Sequence, residues 1–298
     1  AKLDTKQAFL WNNWQWNWKG RNYEDRWDSK LPQGTAYRGI KQRQNLALVD
    51  GYSSAWNQQR VSGFGGAFTE SSAHLLFNLS PEKRLDVVNK YFDESGANYS
   101  LCRTHMNSCD FSLDHYSYAP IAGDTFLDSF SIQPDLDDIV PMIQLAQQAS
   151  KSGFRIIASP WTAPPWMKDN GDWYGGQLLP EFSSTWADFF VRYDEAYAKL
   201  GIDIWAYTVE NEPLGNDSNW ESMHYTPESM GAFIKNDLGP TFNENDVDAH
   251  ILVYDQNRGE ELVEWSKVLL EDKELEPFIY GTAVHWYTST IDWMGESL

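Results

Sequence analysis

Two glutamates separated by a single residue could carry or shuttle a proton through their carboxyl groups. Glu210 and Glu212 flank Asn211, and Pro213 follows directly. The mostly apolar segment Ile202–Val209 precedes them and has the composition of a buried strand. A carboxyl group at the end of a rigid strand is held in a fixed position, as acid–base catalysis requires. Because a proline restricts the residue before it, we expect Glu212 to have an extended backbone.

From residue 60 onward, short apolar segments alternate with amphipathic helical patterns, which predicts a parallel sheet covered by helices. The predicted strands are Val61–Phe64, Tyr99–His105, Phe154–Ser159, Ile202–Val209, His250–Tyr254 and Ile279–Trp286. An open doubly wound sheet and a (β/α)8 barrel both have this order. Polar, aromatic-rich segments follow five consecutive strands, whereas an open sheet concentrates its site at one switch point. We therefore predict an α/β fold, a (β/α)8 TIM barrel with six of its eight strands in this chain.

The chain is expected to divide near residue 58. Residues 59–298 form the predicted barrel, incomplete at its C-terminus. Residues 1–58 contain WNNWQWNW, in which Trp14, Trp16 and Trp18 would share one side of a strand. We interpret 1–58 as a small N-terminal β segment, part of a β-sandwich side domain. Its tryptophans are either buried under neighbouring strands or exposed as a platform on which sugar rings stack.

Composition limits the possible partners. The net charge is −20, from 43 acidic and 23 basic residues, which repels phosphate backbones and makes a nucleic-acid partner unexpected. No apolar run reaches the roughly 18 to 20 residues that span a bilayer, so no transmembrane segment is expected. Cys102 and Cys109 are interpreted as free thiols, and no Cys/His spacing indicates a metal site. The 15 Trp, 15 Tyr and 15 Phe residues would suit a sugar ligand.

Hydrolysis of a glycosidic bond with retention needs two carboxyl groups about 5 to 5.5 Å apart. One protonates the leaving oxygen and the other attacks the anomeric carbon. Glu212 suits the first role, and Asn211 beside it could hydrogen-bond a sugar hydroxyl. The alternative is that Glu212 is an ordinary solvated loop carboxylate.

Five segments, in this order and spacing, resemble glycoside hydrolase family 30. They are GFGGAFTESSAHLL (Gly63–Leu76), NSCDFS (Asn107–Ser112), ASPWTAPPWMK (Ala158–Lys168), TVENEPLG (Thr208–Gly215) and AVHWY (Ala283–Tyr287). The family holds glucosylceramidases and β-1,6-glucanases. The resemblance implies a retaining barrel enzyme that acts on a β-glucoside or β-glucan and needs no metal or organic cofactor. Asn211–Glu228, together with Leu178–Phe182, looks closer to the β-1,6-glucanase branch.

The resemblance also implies roles for individual residues. Glu212 matches the acid/base, and Asn211 matches the residue that contacts the 2-hydroxyl. The other implied substrate-binding or positioning residues are Asp110 and Trp161 at the glucose, Arg103 at the carboxylates, and the sixth-strand residues His285, Trp286 and Tyr287. Simpler interpretations remain open for four of them: a capping aspartate (Asp110), a core tryptophan (Trp161), a structural ion pair (Arg103) and a core histidine (His285).

The family's nucleophile lies on the seventh strand, after Tyr287. Glu296 is the only later glutamate and is too near the sixth strand, so we expect the partner of Glu212 outside these 298 residues. Two hypotheses follow: a retaining β-glucosidase or β-glucanase, or a catalytically inactive sugar-binding protein. The sequence leaves the aglycone (ceramide, glucan or alkyl group) and the oligomeric state open.

The location is expected to be extracellular or periplasmic. Residues 1–20 lack the basic start, apolar middle and small-residue end of a signal peptide. The lack of a signal peptide in these residues is typical of an intracellular protein, or of one whose signal was removed before the numbering begins. A secreted glycosidase corresponds to the second case.

Overall fold

The computed structural model describes residues 61–297 of the chain. The larger compact unit comprises Ser62–Asn257 and Glu264–Trp286, and a second unit includes Arg258–Val263 and the residues from Tyr287 onward. The predicted β segment of residues 1–58, with its tryptophans, lies outside the described residues and stays a prediction.

Six parallel strands form one sheet in the described part of the chain, and their order in space is their order in sequence. They are β1 (Ala67–Phe68), β2 (Leu101–Met106), β3 (Arg155–Pro160), β4 (Ala206–Thr208), β5 (His250–Asn257) and β6 (Ile279–His285). A doubly wound sheet would reverse its order at a switch point. Because no reversal occurs here, every crossover advances in the same direction, as it does in a (β/α)8 barrel.

Helices connect the strands, as the alternating pattern predicts. They are α1 (Glu70–Phe77), α2 (Pro81–Phe92), α3 (Ile139–Ala149), α4 (Ser183–Ala198), α5 (Pro227–Phe233), α6 (Gly239–Glu244), α7 (Glu260–Leu270) and α8 (Trp293–Glu296), with a π-helical turn, Ile234–Leu238, between α5 and α6. Ser80 caps α2 and Thr226 caps α5, each followed by a proline at the first helical position. None of the helices between residues 61 and 297 has the length and apolar character that a membrane span requires.

The first strand lies further along the chain than predicted. Val61 and Phe64 are 67% and 68% exposed and belong to no strand, and pairing with β2 begins only at Ala67. At Gly65 the backbone runs so close to β2 that an added Cβ would lie 1.8 Å from the Leu101 carbonyl oxygen. Gly65 therefore allows the backbone to pass close to β2 just before β1 begins. The apolar residues Val61 and Phe64 do not mark the position of the strand.

A buried carboxyl group, that of Asp135, links several core aromatic residues. Both Asp135 oxygens accept hydrogen bonds from tyrosine hydroxyls, at 3.0 Å from Tyr116, 2.6 Å from Tyr118 and 2.7 Å from Tyr197. The last of these tyrosines lies on α4, whose other buried aromatic side chains are Trp186, Phe189, Phe190 and Tyr193. Because a buried carboxyl group without donors is costly, these three hydroxyls stabilise the packing of α4.

Replacing Tyr197 with phenylalanine tests this arrangement. The ring is retained and one hydroxyl donor is lost, so we expect the free energy of unfolding to fall by about 1 to 3 kcal/mol. Denaturant titration of Tyr197→Phe measures the effect. Tyr91→Phe is the matched control, because that tyrosine is 47% exposed on α2, and it should change stability by less than about 0.5 kcal/mol. Equal effects of the two substitutions would contradict a stabilising role for the Asp135 hydrogen bonds.

Candidate active site

Polar and aromatic residues lie at the carboxyl ends of five neighbouring strands. The structure places one at or just beyond the end of each strand from β2 to β6: Asn107, Trp161, Glu212, Asp255 and His285. In a parallel barrel the carboxyl ends of all strands lie at the same end of the barrel. Residues far apart in sequence thereby come within hydrogen-bonding distance.

Left-handed backbone conformations mark the same face. Asn107, Glu212, Tyr254 and Asp255 have φ values of 60°, 51°, 75° and 47°. Each costs a non-glycine residue free energy, and such conformations concentrate at functional sites.

The expectation of an extended backbone at Glu212 is therefore wrong. Its amide N–H donates to the Asp255 carbonyl oxygen at 3.0 Å, and its own carbonyl oxygen accepts from the Gly215 N–H at 2.6 Å. A tight turn held by these two hydrogen bonds outweighs the preference that Pro213 imposes.

Arg103 is the central cation of the site. Its guanidinium donates to Ser159 Oγ at 2.9 Å, to Asn211 Oδ1 at 2.9 Å and to Asp255 Oδ2 at 2.6 Å. The group also lies 4.8 Å from the centre of the Trp161 ring, within cation–π distance. Arg103 on β2 thus contacts one side chain on β3, one just beyond β4 and one on β5.

Asp255 is the buried anion that faces Arg103. Its side chain is 5% exposed, and Oδ2 also accepts from the Thr208 hydroxyl at 2.7 Å. Burial would raise the pKa of Asp255, but the Arg103 charge and the hydrogen bonds from His285 and Thr208 lower it to about 2. The carboxylate is therefore ionised at neutral pH. No sequence motif assigns Asp255 a role, although it belongs to one of the polar segments that follow the strands.

His285 bridges Asp255 and Glu212. Its Nε2 lies 2.9 Å from Asp255 Oδ1, and its Nδ1 lies 2.8 Å from Glu212 Oε1. Burial would lower the pKa of the imidazole, but hydrogen bonds to these two carboxylates raise it to about 9. A doubly donating imidazolium satisfies both contacts, since each ring nitrogen then carries a proton. His285 is therefore hydrogen-bonded to two carboxylates at the ends of the strands.

The two glutamates of the opening motif have different environments. Glu212 has a side chain that is 15% exposed and is oriented by His285. Glu210 is wholly buried, and neither of its oxygens has a hydrogen-bond partner among the described residues. Burial raises the pKa of Glu210 well above its ordinary value, and the nearby Lys168 ammonium offsets this only in part. Glu210 is thus a buried acid whose pKa is raised, and Glu212 is the more exposed of the two.

Asn211 and Trp161 lie beside this centre. Because a guanidinium only donates, the Asn211 oxygen faces Arg103 and its amide N–H groups are left for another acceptor. Trp161 is 9% exposed, with Arg103 on its ring, so it is a packed residue as well as part of the site.

Asp110 and Trp286 are more open to solvent. Partial burial and the charges of Glu221 and Glu212 raise the pKa of Asp110, while its own backbone N–H and the Trp161 indole lower it. Asp110 is therefore within electrostatic range of Glu221 and Glu212. Trp286 follows His285 and is 41% exposed. Tyr287 belongs to the second compact unit, so its expected place beside the nucleophile stays a prediction.

A pH-dependent stability difference is expected for His285→Gln. The folded-state pKa of about 9 lies above the ordinary value of 6.5, so the imidazolium contributes stability below pH 6.5 that is lost as pH rises through 9. The shift corresponds to about 3 kcal/mol. Unfolding titrations of both proteins at pH 6, 8 and 10 should show a large difference at pH 6 that is much smaller at pH 10. A difference that does not vary with pH would contradict a charged His285.

The chain is similar in sequence to known proteins. Residues 61–294 match the family model described as the glycosyl hydrolase family 30 TIM-barrel domain. Lysosomal acid glucosylceramidase of Mus musculus is 39% identical over 238 residues, which cover 77% of this chain and 46% of that protein. An endo-1,6-β-D-glucanase of Aspergillus fumigatus is 28% identical over 279 residues, covering 88% and 56%. Overall identity thus does not favour the glucanase branch to which the sequence motifs looked closer.

The chain also superposes on solved structures. SrfJ from Salmonella typhimurium superposes with a TM-score of 0.74 and 33% identity, covering 78% of this chain and 52% of that one. The endo-β1,6-glucanase BT3312 gives a TM-score of 0.75 and 28% identity, covering 81% and 56%. The chain spans about half the length of the curated relatives it matches. It belongs to glycosyl hydrolase family 30, and its parallel sheet is that family's TIM-barrel fold.

Proposed function

We propose that the protein hydrolyses a β-glucosidic bond with retention, using Glu212 as the acid/base. The observation that carries the proposal is the hydrogen-bonded row from Arg103 through Asp255 and His285 to Glu212, at the carboxyl ends of the strands. This row fixes the position of one accessible carboxyl group to which substrate oxygen can come close. Membership of family 30 supports it, because the matched relatives include a glucosylceramidase and endo-1,6-β-glucanases by name.

The glucose ring is bound by the polar groups around Glu212. Asn211 keeps an amide N–H for a ring hydroxyl, and Asp110 offers a carboxylate at the rim. Trp161 presents indole surface next to both, although most of its area is buried. These contacts orient the anomeric carbon, so that the leaving oxygen faces Glu212.

Proton transfer uses the hydrogen bond between Glu212 and His285. The contact is kept when a protonated Glu212 faces a neutral imidazole and when a carboxylate faces the imidazolium. Glu212 can therefore give its proton to the leaving oxygen in the first step and later accept one from water, without losing its orientation. Because Asp255 stays ionised beside it, His285 is stabilised whenever it carries the charge.

The nucleophile is proposed to come from a strand that follows β6. Asp255 is unsuited to attack a sugar, because it is buried and engaged by Arg103, Thr208 and His285. Glu210 is wholly buried and its pKa is raised, so it is unsuited as well. The second hypothesis, a non-catalytic glucoside-binding protein, is kept because neither Asp255 nor Glu210 suits the nucleophile's role. An extracellular or periplasmic site of action fits either hypothesis.

Glu212→Gln tests the assignment in the whole gene product. With aryl β-glucosides whose leaving groups need protonation, kcat/KM should fall by about 10² to 10⁴-fold. With a strongly activated leaving group the loss should be smaller, because the departing oxygen then needs no acid. Added azide should restore turnover by replacing the water that Glu212 would activate, and it should yield a β-glucosyl azide.

The matched control is Glu228→Gln, an exposed glutamate at the start of α5. It makes the same chemical change on the same connection after β4 and should leave kinetics within about twofold of wild type. A loss in Glu212→Gln that is independent of leaving group and unaffected by azide would contradict an acid/base role. Saturable glucoside binding without turnover in the wild-type protein would support the non-catalytic hypothesis.

A further inference from the structure

Two buried hydroxyl groups connect the cation of the site to its anion. Ser159 and Thr208, here called the hydroxyl pair, have oxygens 2.7 Å apart, and their exposed fractions are 0% and 1%. Ser159 Oγ lies 2.9 Å from Arg103 Nε. Thr208 Oγ1 lies 2.7 Å from Asp255 Oδ2. Because Arg103 also reaches Asp255 directly, at 2.6 Å, the four side chains form a closed ring.

The donors and acceptors of this ring allow one arrangement of protons. A guanidinium only donates, so Ser159 Oγ accepts from Arg103 Nε–H. An ionised carboxylate only accepts, so Thr208 gives its single hydroxyl proton to Asp255. In the contact between the two hydroxyls, Ser159 must therefore donate and Thr208 must accept. Hydrogen bonds that follow one another in the same direction polarise and strengthen each other.

The hydroxyl pair lies where the strands lead into the site. The last register pair of β3 and β4 is Ala158 with Tyr207, and the hydroxyl pair comes next along the two strands. Thr208 ends β4, and Glu212 follows four positions later. The contact between the hydroxyls thus continues the pairing of the strands up to the connection that carries Glu212.

Ser159 fixes the orientation of the guanidinium. Arg103 Nη2 donates to Asn211 Oδ1 at 2.9 Å and to Asp255 Oδ2 at 2.6 Å. Both bonds leave from one nitrogen, about which the planar group could pivot. The bond from Nε to Ser159 removes this freedom, because it engages a second nitrogen of the same plane.

Thr208 fixes the orientation of the Asp255 carboxylate. With Oδ2 held by Thr208, Oδ1 lies 2.9 Å from His285 Nε2. His285 Nδ1 in turn lies 2.8 Å from Glu212 Oε1. The Asp255 side chain is only 5% exposed, so water does not readily replace a lost donor, and the carboxylate has to turn to recover one. Such a rotation would lengthen the contact with His285 and, through it, loosen Glu212.

We propose that the hydroxyl pair positions Glu212 for proton transfer, acting through Asp255 and His285. The inference rests on the proposed function and deepens it. Both hydroxyls are buried, so they act on substrate only through other side chains. The structural alternative is that the two hydroxyls merely satisfy one another within the barrel. In that case their removal would lower stability and would affect all substrates alike.

Thr208→Val and Thr208→Ser separate the hydroxyl from the methyl group. Valine keeps the shape and removes the hydroxyl, whereas serine keeps the hydroxyl. For aryl β-glucosides whose leaving groups need protonation, Thr208→Val should lower kcat by about tenfold, with a smaller change in KM and a smaller loss for a strongly activated leaving group. Thr208→Ser should retain at least about fivefold more activity than Thr208→Val. A serine variant as impaired as the valine variant, or equal losses for all leaving groups, would show a packing role and overturn the proposal.

Ser159→Ala tests the hydroxyl pair independently, should the valine variant not fold. It should show the same dependence on the leaving group. Because both hydroxyls belong to one chain of hydrogen bonds, Ser159→Ala combined with Thr208→Val should lose little more activity than the more impaired single variant. Losses that multiply in the double variant would argue decisively against the proposal. Thr185→Val is the matched control: it removes a buried hydroxyl of α4, 3.5 Å from the Thr125 carbonyl oxygen, and should leave kinetics within about twofold of wild type.

Nitrogen NMR of His285 in the whole gene product separates this inference from the proposed function, because it needs no turnover. Burial lowers the pKa of this imidazole, but the hydrogen bonds to Asp255 and Glu212 raise it to about 9. In both variants that lack a hydroxyl, this pKa should fall by about one pH unit as the contact with Asp255 lengthens, whereas Thr208→Ser should keep it. A carboxylate that stayed in place with one donor fewer would hold the imidazolium more strongly.

The possible outcomes therefore differ for the two proposals. An unchanged or raised pKa of His285 in both variants would overturn the positioning role, even if Glu212→Gln confirms the acid/base. A lowered pKa in a protein without turnover would refute the catalytic proposal but leave the hydroxyl pair as the group that orients Glu212.

Discussion

The ionised carboxylate of Asp255 is the constraint on which the polar centre depends. A buried charge is tolerated only when partners surround it, and here Arg103, Thr208 and His285 do so from β2, β4 and β6. One anion on β5 thus sets the mutual positions of side chains from three other strands. Through Arg103 it also orients Asn211, and through His285 it orients Glu212. Glu212 is held where it is because Asp255 is charged.

Much of this arrangement could be predicted from the sequence. The alternation of apolar strands and amphipathic helices indicates a parallel sheet, and the polar segments after five strands favour a barrel with sequential strand order. The family resemblance singled out Arg103, Asn211, Glu212 and His285, and the structure brings them together. Their roles in chemistry are proposals, but their proximity follows from the rule that the carboxyl ends of parallel strands meet.

Other features depend on contacts between distant segments, which a local pattern does not reveal. The backbone of Glu212 is set by a hydrogen bond to Asp255, 43 positions further along. The first strand starts late because Gly65 passes close to Leu101. His115 contacts Tyr174 and Glu221, so three connections meet at one histidine although none has a distinctive spacing of its own. Glu210 and Glu212 look equivalent in sequence, and they differ in the structure because Glu210 is wholly buried and Glu212 is partly exposed.

The left-handed backbone at Glu212 has a consequence for evolution and for engineering. Glycine or asparagine adopts that conformation at a lower cost than glutamate, so replacing Glu212 by either would relieve local strain while deleting the proposed acid. At Asp255, which also has a positive φ, loss of the ion pair with Arg103 would oppose any such gain. Thermal stability and the proposed catalysis therefore pull in opposite directions at Glu212. A library screened for heat resistance alone would drift towards inert variants, whereas one screened for turnover would preserve the strained residues.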